Sequence, residues 1–127
     1  MKIIPVGKNK KYWNDILDIR NNNSFGFGDT SQISQDKHYE FIEKHYKDYF
    51  VLVLDDTDKV AGFAGCVNGD IRVAVHENFK RRGIAKALVT FIRGKYPRSF
   101  AKIKSDNQAS LKLFQSCGLK KTWCIYE

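Results

Sequence analysis

The chain has 127 residues, 43% hydrophobic and 28% charged, a balance that suits one folded domain over residues 1–127 and excludes a disordered chain. No apolar run is long enough to cross a bilayer, and residues 1–6 are apolar for too short a stretch to be a signal peptide, so a cytoplasmic protein without a membrane partner is expected. Lys and Arg number 22 against 14 Asp and Glu, a formal charge of +8, which favours anionic partners (phosphates, nucleotides, nucleic acid or acidic protein) without choosing among them.

In chain order, residues 2–6 read as a short strand. Trp13, Ile16, Leu17 and Ile19 recur at helical spacing and predict a helix over 9–21, broken by Asn21-Asn22-Asn23. Residues 24–34 are a loop rich in Gly, Ser, Asp and Thr, with Phe25 and Phe27 interleaved. Ser34 is placed to cap a second helix whose buried side carries Tyr39, Phe41, Ile42 and Tyr46. The apolar run 49–54 predicts a buried strand, and 59–67 and 70–75 a pair of strands joined by Asn68-Gly69, whose residue types suit the positive φ of a type I′ turn. A helix over 83–95 buries Ile84, Leu88, Val89 and Ile92 and stops at Pro97. Residues 99–104 predict another strand, 107–117 a helix closed by Gly118, and 119–126 a terminal strand. The order β-α-α-β-β-β-α-β-α-β predicts an α+β domain with a mostly antiparallel sheet.

Cys66, Cys117 and Cys124 are odd in number, form no CxxC pair and lie in apolar stretches, so they read as buried free thiols; with His38, His45 and His76 they form no metal-ligand pattern, and no metal is expected.

The chemistry concentrates in Val73-Ala74-Val75-His76-Glu77-Asn78-Phe79-Lys80-Arg81-Arg82-Gly83-Ile84-Ala85, where a strand runs through a basic, glycine-containing turn into a helix. The first N–H groups of a helix lack intrahelical partners and lie at the positive end of its dipole. Gly83 and Ala85 keep bulk away, while Lys80, Arg81, Arg82 and Lys86 add charge, so a diphosphate is the expected guest. The ordinary alternative for a Lys-Arg-Arg run is a solvated helix start.

Lys80-Arg81-Arg82-Gly83-Ile84-Ala85 resembles the Gln/Arg-x-x-Gly-x-Gly/Ala signature of the GNAT superfamily of N-acetyltransferases, with lysine at the first position. A second family block is matched by Asn107-Gln108-Ala109-Ser110-Leu111-Lys112-Leu113-Phe114 with Cys117-Gly118-Leu119. The resemblance implies a single GNAT-like domain: a twisted sheet of about six to seven strands, flanked by about four helices, with a splayed strand pair at the cofactor site. It implies acetyl-CoA as cofactor, with the pantetheine arm added as a strand along Val73, Ala74 and Val75, the Val75 N–H polarising the thioester carbonyl, and the diphosphate on residues 80–86. Asn107, Ser110 and Phe114 join the cofactor set, Asn107 being equally suited to a helix N-cap. Many relatives carry tyrosine at position 114 as the proton donor to the thiolate; phenylalanine has no proton to give, so no general acid is assigned. Asp70, His38 and Glu77 are the candidate bases for deprotonating the amine, each with an ordinary surface group as its alternative.

The N-terminal region is similar to GNAT enzymes that acetylate nucleotide-linked amino sugars, through Arg20-Asn21, Ile33-Ser34 and the residues around His38. Arg20, Asn21, Phe25 and Phe27 are therefore the candidate acceptor residues, and loop 22–33 a candidate lid. The implied reaction is direct transfer of acetyl from acetyl-CoA to a small-molecule primary amine in a ternary complex, by a monomer or homodimer. The rival classes are a basic nucleic-acid-binding module, for which no helix-turn-helix, zinc or RNP pattern is present, and a GNAT-fold protein that binds CoA without catalysis.

Overall fold

The computed structural model describes residues 1–23, 31–55 and 57–127. Four strands, β1 (Lys2–Pro5), β2 (Tyr49–Val53), β3 (Val60–Val67) and β4 (Asp70–Val75), form a sheet in the order β1-β2-β3-β4, every pairing antiparallel. β3 is buried along all eight residues, because the sheet is covered on both faces and its middle strands meet no water. The hairpin between β3 and β4 turns at Asn68 (φ 52°) and Gly69 (φ 84°), the two positive angles that the Asn-Gly pair predicts.

Helices α1 (Lys10–Asn22) and α2 (Gln35–His45) cover one face. Asn9 caps α1 by accepting from Lys11 N–H, and Ser34 caps α2 by accepting from Lys37 N–H. Trp13, Ile16, Ile19 and Ile42 pack there against Val51, Phe63 and Ala74. Helices α3 (Ile84–Lys95) and α4 (Gln108–Ser116) cover the other face, where Ile84, Leu88, Val89, Ile92 and Phe114 pack against Phe50, Leu52, Ala64, Ile71 and Val75. The alternation of side chains along each strand divides them between the two cores. Gly62 brings α3 close to β3: a Cβ there would stand 2.9 Å from the Ala74 carbonyl oxygen, 3.1 Å from Leu88 and 3.2 Å from Ile84.

Three expectations differ. Four strands form the sheet among the described residues, not six or seven. Residues 99–104 make one parallel bridge, Asp70 to Phe100, with Ile71 N–H donating to Phe100 O and Phe100 N–H to Gly69 O, both at 2.8 Å. Residues 119–126 form no strand; Trp123, Ile125 and Tyr126 are 88%, 81% and 94% exposed. Strand-forming residues become a strand only with a ladder partner, and these have none among the described residues. Cys124 is consequently exposed, whereas Cys66 is buried and Cys117 half-buried.

Candidate active site

The site begins with the parity of β4. His76 N–H donates to Ala61 O at 2.7 Å, and the register sets Val75 opposite Gly62. Bonded and non-bonded pairs alternate in an antiparallel ladder, so Arg72 and Ala74 turn their N–H and C=O groups to β3 while Ile71, Val73 and Val75 turn theirs away. Ile71 uses this outer side to bond Phe100. Above that bridge residues 101–104 form no ladder with β4. The outer edge at Val73 and Val75 therefore has no strand partner among the described residues, whereas Ala74 directs its backbone inward and only flanks that edge.

Beyond Val75 a short 3-10 turn, Glu77–Phe79, leads into Lys80–Gly83 and α3. Arg81 (φ 66°) and Gly83 (φ 77°) both occupy the left-handed region, a conformation whose successive N–H groups make anion-binding concavities. No side chain caps α3, and its first backbone bond inside the helix runs from Ala87 N–H to Gly83 O at 3.0 Å. The N–H groups of Ile84, Ala85 and Lys86 thus face outward at the positive end of a 12-residue helix. Lys80, Arg81, Arg82, Gly83 and Lys86 are exposed, Ala85 half-buried, and Ile84 is anchored in the core. A Cβ at Gly83 would meet nothing within 4 Å among the described residues, which leave the approach unobstructed. These residues fit a diphosphate. The Arg82 guanidinium lies 5.4 Å and Lys59 Nζ 5.6 Å from the centre of the Phe79 ring, which adds to this positive end a lysine from the start of β3 that no local pattern marks.

On α4, Asn107 accepts from Ser110 N–H at 3.1 Å and is the N-cap. Ser110 is half-buried behind it. Phe114 is 6% exposed and belongs to the core that also holds Val75 of β4 and Leu88 of α3.

The three candidate bases are not brought together. Asp70 opens β4 beside Phe100, its carboxylate 3.5 Å from Arg72 Nε and 4.0 Å from Lys102 Nζ. A strand advances about 3.3 Å per residue, which puts Asp70 roughly 17 Å from Val75, too far to take a proton there. His38 is buried between α1 and α2, its Nε2–H donating to Trp13 O at 2.7 Å. Burial pushes its pKa below the ordinary histidine value, and the Trp13 hydrogen bond pulls it partly back. It is a core histidine remote from β4. Glu77 is exposed and follows two residues after Val75. His76, weighed in sequence only as a metal ligand, accepts from Asn78 N–H at Nδ1 at 3.1 Å.

On the acceptor side, Arg20 is buried and donates to Ser31 O at 2.9 Å. The Asn21 side-chain amide bonds both backbone groups of Ile33, at 3.1 and 2.9 Å, and the main-chain carbonyl of Asn21 accepts from Gln32 Nε2 at 2.9 Å. Both side chains hold the chain that enters α2, so contact with an acceptor would be additional to that structural work. Phe25 and Phe27 lie outside the described residues. In sequence Asn23 belongs to the Asn21-Asn22-Asn23 helix break and to loop 22–33, and nothing there marks it as a contact of β4. It reaches β4: its Nδ2 donates to Ile19 O at 2.7 Å and to Val75 O at 3.2 Å. A bond across 52 residues leaves no mark in local sequence.

Comparison with known proteins accords with this geometry. The model of the acetyltransferase (GNAT) family matches residues 13–119. No curated protein matches the chain. Among solved structures, it is similar to a ribosomal-protein-alanine N-acetyltransferase from Brucella melitensis (20% identity over 93% of this chain and 83% of that one, TM-score 0.77). It is also similar to yncA from Salmonella typhimurium, solved with its cofactor acetyl-CoA (22% identity, 93% and 78%, TM-score 0.72). A third is the aminoglycoside N-acetyltransferase AAC(6')-Iy in complex with CoA (19% identity, 99% and 91%, TM-score 0.75). With its family match spanning all of the chain from Trp13 to Leu119, both motif-bearing turns included, this protein belongs to the acetyltransferase (GNAT) family.

Proposed function

We propose that the protein transfers an acetyl group from acetyl-CoA to the primary amine of a small molecule. The observation that carries this reading is the continuity of two features: the outer edge of β4 at Val73 and Val75, which no strand among the described residues pairs, runs into the uncapped N-terminus of α3. One accepts an extended amide-bearing chain and the other a diphosphate, in the order in which coenzyme A joins them. Acetyl-CoA, when bound, supplies an acetyl group activated as a thioester for direct transfer to a neutral amine in a ternary complex.

The chain's own groups have separate tasks. The N–H groups of residues 83–86 and the side chains of Lys80, Arg81, Arg82 and Lys86 hold the diphosphate. Val73 and Val75 position the arm, and the Val75 N–H donates to the carbonyl oxygen on which negative charge develops. Ala74, Asn107, Ser110 and Phe114 support these groups through packing and the α4 cap. Glu77, the candidate base that follows directly on this edge, takes the amine proton through water. The acceptor class is an amino sugar, free or nucleotide-linked, which the net charge of +8 suits when the substrate carries phosphate. A structural neighbour acting on aminoglycosides supports the sugar-amine class.

The test is acetyl-CoA binding by calorimetry on wild type and Gly83→Glu, followed by thiol release with aminoglycosides and nucleotide-linked amino sugars. Wild-type binding that Gly83→Glu abolishes is expected, because the new carboxylate enters an open, positively charged approach. Gly83→Ala, strained at positive φ by about 1 kcal/mol but adding no charge, should keep binding. No binding by the wild type would overturn the reading, and binding without turnover on any amine would reduce it to CoA recognition.

A further inference from the structure

Asn23 occupies the edge that the cofactor arm is proposed to use. A side-chain amide has two N–H donors, and here they go to Ile19 O at 2.7 Å and Val75 O at 3.2 Å. The residue's backbone N–H also donates to Arg20 O at 3.1 Å, so Asn23 is anchored twice to the last turn of α1 and reaches β4 with the remaining donor. Val75 C=O points away from β3, as the ladder parity requires. It is the carbonyl an added strand would seek at the end of β4 nearer α3.

From these contacts we infer that Asn23 is a placeholder for the cofactor arm: its amide donates to the Val75 carbonyl and yields that oxygen to an amide N–H of the arm. The inference rests on the proposed use of the β4 edge by coenzyme A. Exchange conserves hydrogen bonds at Val75, since one amide N–H replaces another on the same oxygen. It frees one donor of Asn23, while the bond to Ile19 keeps that side chain at the end of α1. The freed N–H then faces the region between α1 and the arm, on the same helix end from which Arg20 and Asn21 hold residues 31–33. Asn23 thereby couples occupation of the cofactor edge to the acceptor side.

The geometry separates this role from a plain binding contact by sign. A residue that only contacts the cofactor strengthens binding, and its removal weakens it. A placeholder competes, and its removal strengthens binding of a ligand that carries the arm but not of one that lacks it. The experiment compares wild type with Asn23→Ala and Asn23→Asp by calorimetry, using coenzyme A and adenosine 3′,5′-bisphosphate as probes, the latter lacking the pantetheine arm. Asn23→Ala should bind coenzyme A about threefold to tenfold more tightly, the equivalent of one neutral hydrogen bond. Its affinity for adenosine 3′,5′-bisphosphate should be unchanged, which also shows that the variant is folded. Asn23→Asp keeps the shape and loses the donor; it should raise the affinity for coenzyme A relative to the bisphosphate and serves if the alanine variant does not fold. Unchanged or weaker coenzyme A binding by the folded variants would overturn the placeholder. Failure of wild type to bind coenzyme A would instead overturn the functional reading beneath it.

Discussion

Phe114 lies 6% exposed in the core between α3 and β4, where a relative's tyrosine would carry a hydroxyl. A hydroxyl buried there without a partner costs about 1–3 kcal/mol, so Phe114→Tyr should lower the urea midpoint without improving turnover. A faster Phe114→Tyr enzyme would show that the hydroxyl reaches the sulfur. His38 offers a second test at this scale. Its pKa is depressed in the folded state by burial, so the unfolded chain takes up the proton first as pH falls. Stability is full above pH 6.5 and declines as pH falls through that value toward the folded pKa. Urea midpoints measured from pH 7.5 to 5.5 should show this decline, and His38→Gln, which keeps a donor for Trp13 O, should reduce it. Equal slopes for the two proteins would remove His38 as its source.

Among the elements, the seating of α3 on β3 decides the proposed site, because α3 carries the end proposed to hold the diphosphate and β4 the edge proposed to hold the arm. Gly62 sets that seating. A side chain there would come within 3.2 Å of Ala74 O, Leu88 and Ile84, two of them on α3. Gly62→Val should overpack this contact, destabilise the fold by about 1–3 kcal/mol, and weaken acetyl-CoA binding by shifting α3 relative to Val75. Wild-type affinity and stability in Gly62→Val would mean that α3 is not held by this approach. The unpaired edge itself follows from pairing: Asp70 and Phe100 form a bridge, and among the described residues no further ladder follows on the outer side of β4.

For the whole molecule, the two tryptophans report opposite environments. Trp13 is 2% exposed under α2, its indole N–H donating to Gly7 O at 2.8 Å, whereas Trp123 is 88% exposed in the C-terminal stretch. Acrylamide should quench the fluorescence of Trp13→Phe readily and that of Trp123→Phe poorly. Strong protection of Trp123 would show that residues 119–127 pack against something in solution, a second copy included. No helix among the described residues is long and apolar enough to cross a membrane.

The local sequence by itself determined the helices, whose apolar spacing and caps at Ser34 and Asn107 are written within a few residues, and the hairpin at Asn68-Gly69. It determined the basic turn at 80–86, because a strand, a charged glycine-bearing segment and a helix start are consecutive in the chain. Only the tertiary structure decided which residues meet. It placed His38 between two helices and put Asn23 on a carbonyl 52 residues away. It also left 119–126 without a partner despite their strand-forming composition. The physical reason is that helix caps and turns close within a few residues, while strand pairing and side-chain contacts across elements depend on distant segments that no local pattern specifies.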